Sequence, residues 1–239
     1  FREAIEEEVR VFTKIGMCGF MQSMSEIISW CHNNGIVTGP GRGSVCGSRV
    51  AYVTDVTDLN PETWNTVFSR FCNEDRVEVG DVDSDVIEED RPRIFNYIIN
   101  RFGQDRTAFV PSCGTLKDRA CIEDIVRGFK ERLDKKNCND ENYDKSANPY
   151  SPKFSDVIKS EYEKNSEECK EKYKDIFYYF DGFLNTRVSQ SVHPAGIVIS
   201  PVTLNDNYGT FYKDDGVVLQ IDMEEIHEVS LVKYDMLVL

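Results

Sequence analysis

The chain has 239 residues, enough for one large domain or two small ones, and 40% of them are hydrophobic, enough for a real core. No apolar run reaches the roughly 18 residues needed to span a bilayer, and the opening FREAIEEEVR reads as an acidic helix start rather than a signal peptide. A cytoplasmic chain with no membrane partner is therefore expected, and a net charge of −14 argues against a nonspecific nucleic-acid binder.

The charge is unevenly spread. Residues 74–90 hold nine acids and one base, residues 205–235 hold eight acids and two bases, and these two windows carry the whole excess. They read either as two solvated acidic faces or as two distant segments converging on bound cations. Eight cysteines are scattered without a CxxC pair, which suggests neither a zinc site nor a disulfide framework and leaves free thiols filling the core.

In chain order, Met21, Met24, Ile27, Ile28 and Cys31 recur at helical spacing and Gly35 follows as a stop. Ile36–Thr38 is a short strand candidate leading into GPGRGSVCGSR, residues 39–49, and Ser44–Val53 then reads as a helix. This segment lacks the lysine of a P-loop and does not fit G-x-G-x-x-G. Its glycines 41 and 43 nevertheless free the backbone to approach a ligand, Ser44 would present helix amino-terminal N–H groups to an anion, and Arg42 adds a forked phosphate donor. A plain turn before a helix fits the same residues. Asn60-Pro61 is a helix start of N-cap and first-turn proline, with the helix running to about Cys72.

Val79–Val86 alternates like a strand, placing Asp81, Asp83 and Asp85 on one face and Val82, Ser84 and Val86 on the other. Carboxylates about 5–7 Å apart repel unless a cation lies among them. Magnesium suits such a site because it takes one or two carboxylates, keeps waters and accepts phosphate oxygens. A calcium loop fails, since Val86 stands where its glycine is required and Pro92 where its bidentate glutamate should be. A structural acidic strand remains the alternative. Glu88–Phe102 follows as an amphipathic helix ending at Gly103, then Thr107–Val110 as a strand.

Residues 115 to about 184 are mostly helical and polar, with a turn-rich NCNDENYDKSANPYSP in the middle, and form a candidate inserted subdomain. Gly196–Ser200, Val217–Ile221 and Leu231–Leu237 then return the chain to strands. In LVKYDMLVL, residues 231–239, Lys233 and Asp235 share one strand face. A buried Asp235 would need a partner, and a metal shared with Asp81 and Asp83 would supply one; an exposed surface strand fits equally well.

A glycine-serine turn, paired strand carboxylates and a third strand carboxylate are together the parts of a two-metal nucleotidyltransferase. The segments GIVTGPGRGSVCGS, DLNPETWNTVFSRFCNEDRV, DVDSD, INRFGQDR, CGTLKDRACIEDIVRGF, SVHPAGIVIS and LVKYDMLVL occur in one order. That order resembles the palm and thumb of bacterial C-family replicative DNA polymerases, the alpha subunit of DNA polymerase III. Apart from about 130–185, the resemblance covers the chain. It implies an α+β fold, a polymerase-beta-like nucleotidyltransferase palm of mixed sheet flanked by helices, with an inserted helical thumb-like subdomain. The corresponding domains are a first palm part at 1–112, the insertion at 113–189 and a second palm part at 190–239.

By the same resemblance, Asp81, Asp83 and Asp235 match the catalytic, metal-holding carboxylates, with two Mg2+ ions as cofactors or Mn2+ in their place. Gly43 and Ser44 match the glycine-serine motif near the nucleotide phosphates, and Arg42, Lys233 and His193 fall near the incoming nucleotide. Asp85 matches a family acid that is not a metal ligand. Lys117, Arg119 and Arg127, within a basic run reaching Lys136, are candidate DNA contacts, although five intervening acids equally describe a solvated helix.

The implied function is DNA-directed DNA synthesis by two-metal transfer onto a primer 3′-hydroxyl. Its partners would be primer–template DNA, deoxynucleoside triphosphates, the remaining polymerase domains and, through segments not in this chain, a sliding clamp. This chain starts after the position of the family's phosphoesterase-like domain and ends before its fingers, so it reads as a fragment whose isolated activity would be weak. A non-catalytic DNA- or partner-binding module that kept the fold is the alternative. The chain departs from the family at Gly80 (usually proline), Arg49 (an apolar residue), Arg119 (lysine) and its terminal LVL (LGL).

Overall fold

A computed structural model describes residues 1–73, 82–213 and 216–238. Contacts divide the chain into two compact units, residues 1–112 with 192–239 and residues 113–191.

The first unit opens with α1 (Arg2–Lys14) and α2 (Cys18–Asn33). The periodic Met21, Met24, Ile27, Ile28 and Cys31 of α2 are all buried, each large aliphatic contributing about 1.5–3 kcal/mol on full burial. The helix stops where Gly35 adopts φ +70°. Ile36–Thr38 forms no strand; Thr38 alone bridges to Val86.

The helix expected over Ser44–Val53 is split. A 3-10 turn covers Gly43–Gly47, and α3 (Arg49–Val53) begins only after Ser48, whose extended backbone lets its side chain accept the Ala51 N–H. The helix expected from Pro61 to about Cys72 is also shorter. Asn60 does cap it and Pro61 is its first residue, but α4 (Pro61–Trp64) ends at once because Asn65 turns left-handed at φ 49°, and a 3-10 turn at Phe68–Arg70 follows.

Among the described residues, six strands form one open mixed sheet in the order β1-β6-β3-β2-β5-β4. They are β1 (Asp83–Val86), β2 (Thr107–Thr115), β3 (Arg187–Ile199), β4 (Thr210–Lys213), β5 (Gly216–Leu219) and β6 (Val232–Val238). β1 runs parallel to β6 and β2 to β5, while β3 is antiparallel to β6 and β4 to β5. Of the expected strand Val79–Val86, residues 79–81 lie outside the described residues.

The next helix, α5 (Arg91–Phe102), ends at Gly103 and buries Ile94, Phe95 and Ile98 against the main core with α2 and with Val82, Val86, Ile197, Tyr234 and Met236 from the strands. A separate cluster joins Ala108, Val110, Val198 and Leu219 to Leu204, Ile226 and Leu231.

In the second unit, α6 (Asp118–Lys136), α7 (Pro152–Lys164), α8 (Ser166–Lys172), α9 (Lys174–Phe177) and α10 (Phe180–Phe183) pack their own core around Ile122, Ile158 and Phe180. Back in the first unit lie α11 (Leu204–Tyr208) and α12 (Met223–Glu228). Asp222 and Glu225 form a reciprocal capping box at the start of α12, so part of the second acidic window serves helix initiation. All eight cysteines are free thiols, and five of them are buried.

Candidate active site

The site grows from one register. On the parallel pair β1 and β6, Asp83 lies opposite Asp235, and strands about 4.8 Å apart put such a pair on one face. The alternation read from the sequence is seen in burial, with Val82, Ser84 and Val86 turned into the protein while Asp83 and Asp85 stay partly exposed. On β6, Tyr234 and Met236 enter the main core, and the Tyr234 hydroxyl meets Ser23 Oγ at 2.6 Å. Lys233 and Asp235 therefore share the opposite face.

Asp235 is 4% exposed. Its Oδ2 is 2.6 Å from Lys233 Nζ, while its Oδ1 is buried with no hydrogen-bond partner among the described residues. A carboxylate oxygen left bare in the interior costs about 1–3 kcal/mol or more, so it is a ready acceptor for a cation. Gly196 of β3 sits opposite Asp235 in the antiparallel register. A Cβ there would lie 3.2 Å from Asp235 Oδ1, 3.1 Å from Lys233 Cδ and 3.1 Å from His193 Nδ1, so the missing methyl is what leaves room beside the carboxylate. His193 Nδ1 accepts the Gly196 N–H at 3.0 Å and the Ala195 N–H at 3.4 Å. A neutral His193 thus carries its proton on Nε2.

The glycine-rich turn is tied to the outer edge of β1. The Gly39 N–H donates to the Asp85 carbonyl at 2.8 Å, and Arg42 Nη1 donates to Asp85 Oδ1 at 3.0 Å while its Nε lies 3.8 Å from Asp83 Oδ2. Gly41 has φ +125°, and a Cβ on it would fall 2.1 Å from Thr57 Oγ1, so only glycine fits this bend. The Thr57 hydroxyl in turn donates to the Pro40 carbonyl at 2.8 Å.

Gly43 and Ser44 lie on the 3-10 turn and not at the start of an α-helix. The helix start expected at Ser44 is thereby corrected, and a 3-10 turn of five residues carries little of the dipole that a longer α-helix sums. Gly43 and Ser44 instead border a cavity of about 430 Å³ with Gly47, Asn65, Thr66, Val67 and Arg70. Arg70 was not singled out in the sequence. Its one signal there is a lone base in VFSRF, and only the close approach of Gly47 to Val67, where a Cβ would meet the Val67 carbonyl oxygen at 2.7 Å, brings it beside Ser44.

Arg49, a departure noted above, has a local partner. Glu8, 1% exposed, accepts from Ser48 Oγ (2.8 Å), the N–H groups of Arg49 and Val50 (3.0 Å each) and Arg49 Nη1 (3.3 Å), so α1 supplies a buried anion to the start of α3. Burial lowers the Arg49 pKa, but hydrogen bonds and charge from Glu62 and Glu8 outweigh it and the net shift is upward.

Asp81, the remaining catalytic candidate, lies outside the described residues, as does Gly80. Among the described residues no group of three or more His, Cys, Asp or Glu is placed to hold a metal ion; the described part of the site is the pair Asp83 and Asp235. The candidate DNA contacts belong to the second unit. Lys117 Nζ donates to Asn185 Oδ1 at 2.9 Å, Arg119 pairs with Glu163, and Arg127 pairs with Asp124 at 2.7 Å. Among the described residues no helix is long and apolar enough to cross a membrane.

The model of the bacterial DNA polymerase III alpha NTPase domain matches residues 1–238. The chain is 34% identical over 236 residues to a DNA polymerase III subunit alpha of Borreliella burgdorferi, with 96% of this chain and 20% of the relative covered. It is 30% identical over 239 residues to the subunit of Pseudomonas fluorescens, covering 96% and 20%, and 30% identical over 248 residues to that of Escherichia coli K12, covering 99% and 20%. The chain thus spans about a fifth of the length of the curated relatives it matches.

Proposed function

This chain belongs to the family of the bacterial DNA polymerase III alpha NTPase domain, and on that premise we propose that it forms the catalytic palm, with a thumb-like insertion, of a DNA-directed DNA polymerase. The observation that carries the reading is the register of Asp83 against Asp235, with Asp235 Oδ1 buried and unpartnered.

Asp83 and Asp235, joined by Asp81 from the sequence, would hold two Mg2+ ions, or Mn2+ in their place. The donor set fits a hard cation, with the Asp83 carboxylate opposite Asp235, the Asp235 Oδ1 bare and Gly196 leaving space beside it. Bound there, the metals supply Lewis-acid charge for deprotonating a primer 3′-hydroxyl and for steadying the leaving pyrophosphate.

The chain's own residues do the rest. Lys233, held at 2.6 Å from Asp235, neutralises that carboxylate and would turn toward an incoming polyphosphate. Gly43, Ser44 and Arg70 border one cavity in which phosphate oxygens would find a hydroxyl and a forked cation, and Arg42 stands beside it in sequence. His193, its Nε2–H fixed as a donor, is an orienting group for the nucleotide. Lys117, Arg119 and Arg127 are proposed contacts to duplex phosphates, each first leaving the partner described above. Primer–template DNA and deoxynucleoside triphosphates are the substrates, and the remaining polymerase segments and a sliding clamp the partners, acting in the cytoplasm.

Primer extension by the full-length polypeptide containing this chain is the test. Asp83→Asn and Asp235→Asn should each lower the rate by about a thousandfold or more, a loss of about 4 kcal/mol of transition-state stabilisation. Extension unchanged in both variants would refute the reading.

A further inference from the structure

A cavity of about 490 Å³ lies within the first unit, between α5 and the sheet. Its floor is apolar, with Phe95 of α5, Phe109 of β2 and Ile197 of β3 lining it and the two phenyl rings edge to face at 5.1 Å. In the register of β3 with β6, Ile197 stands opposite Tyr234 and Gly196 opposite Asp235. Successive strand residues point to opposite faces, so Ile197 looks away from the Asp235 carboxylate. The polar groups around this floor are one-sided. The chain has 42 acidic and 28 basic residues, yet none of the described residues lining the cavity is acidic, whereas Arg91 and Lys213 both line it. Arg91 is partly exposed and makes no ion pair or side-chain hydrogen bond among the described residues. Asn96 and Gln104 add amides, each able to donate and to accept.

We propose that this cavity is a binding site for a nucleoside monophosphate, distinct from the carboxylate site on the other face of the sheet. Its volume falls in the range of about 300–1,000 Å³ typical of small-molecule pockets, and its apolar walls with a few polar groups have their usual make-up. The aromatic floor takes the flat base, and the amides of Asn96 and Gln104 suit its edge of donors and acceptors. The Arg91 guanidinium forks onto the phosphate oxygens through parallel N–H bonds. A phosphate monoester carries about −1.5 to −2 charge at neutral pH, so it gains from two basic side chains with no acid lining the same space. Inorganic phosphate alone would leave the apolar floor empty, and a nucleoside alone would leave Arg91 unpaired. The monophosphate satisfies both, and it needs no metal to do so.

Isothermal titration of the full-length polypeptide with AMP is the test, in EDTA so that no divalent cation reaches the carboxylate site. AMP should bind, and inorganic phosphate and adenosine, titrated separately, should each bind at least about tenfold more weakly. Arg91→Gln should weaken AMP binding by about tenfold or more, the scale of a lost charge-assisted hydrogen bond. Asn96 is exposed on α5, so Asn96→Trp should fold, fill the space and abolish AMP binding; it also carries the test should circular dichroism show Arg91→Gln unfolded. His193 lines the cavity as well as bonding Gly196, so Asp235→Asn is the control for the other face and should stay within about twofold of the parent. Absence of AMP binding, or parent-like AMP binding by folded Arg91→Gln or Asn96→Trp, would overturn the proposal. Phosphate or adenosine binding as tightly as AMP would overturn it too, by removing the need for one of the two halves. Loss of AMP binding in Asp235→Asn would assign the ligand to the carboxylate site and overturn it as well, while leaving the polymerase reading in place.

Discussion

Replacing Lys233 by methionine tests the buried ion pair most directly. The side chains of Lys233 and Asp235 are 11% and 6% exposed, and their charged atoms are 2.6 Å apart. At an effective dielectric of about 20, two unit charges at that distance attract by about 6 kcal/mol before desolvation is subtracted. Removing the cation leaves a buried carboxylate with Oδ1 already bare and Oδ2 newly so, and breaking a buried pair in this way costs about 3–5 kcal/mol. The double variant Lys233→Met/Asp235→Leu removes both charges and should recover most of that loss. Both tryptophans, Trp30 and Trp64, lie in the first unit. Urea unfolding followed by their fluorescence therefore reports on the right part of the molecule, and the slope of the transition should stay unchanged. A cost below about 1 kcal/mol for Lys233→Met, the range of an exposed pair, would show that Asp235 is hydrated and would refute the account of its orphaned oxygen.

Gly196→Ala should destabilise by about 1–3 kcal/mol through crowding and weaken Mn2+ binding, since three groups at 3.1–3.2 Å must shift; calorimetry and metal titration check both. Glu8→Gln should cost about 2–3 kcal/mol in urea, because an amide cannot accept all the N–H and O–H groups now aimed at the carboxylate. Burial, and then the charge of Asp90, push the Cys31 thiol up to about 11 from an ordinary 9.0. Because the raised value belongs to the folded state, the stability it contributes is fully present below pH 9 and is lost as pH rises toward 11. Cys31→Ala should flatten that alkaline decline in a series of urea midpoints. Asp134 accepts from Tyr143 and Asn148 at 2.7 Å each, which holds its carboxyl below the usual range. Asp134→Ala should make the 137–150 segment a preferred site of limited proteolysis.

Local chemistry made several elements legible. The spacing of Met21 to Cys31 placed α2, Asn60-Pro61 placed the start of α4, and the alternation through Val86 gave the two faces of β1, because each is decided by neighbours within a few residues. The same local view failed where one residue broke a pattern. Ser48 interrupts the helix expected from Ser44, and Asn65 ends the one expected to reach Cys72, since a side-chain cap or a left-handed residue outweighs helical spacing.

The sequence by itself determined which charged side chains share a strand face, Asp83 with Asp85 and Lys233 with Asp235, because that follows from the period of two along any strand. Only the tertiary structure decided that Asp83 pairs with Asp235 about 150 residues away, that Asp85 takes Arg42, and that Arg70 comes beside Ser44. Strand order and register are fixed by which apolar faces bury one another. Tyr234 and Met236 packing with Val82, Val86 and α2 set β6 beside β1, a balance among distant residues that no local spacing encodes.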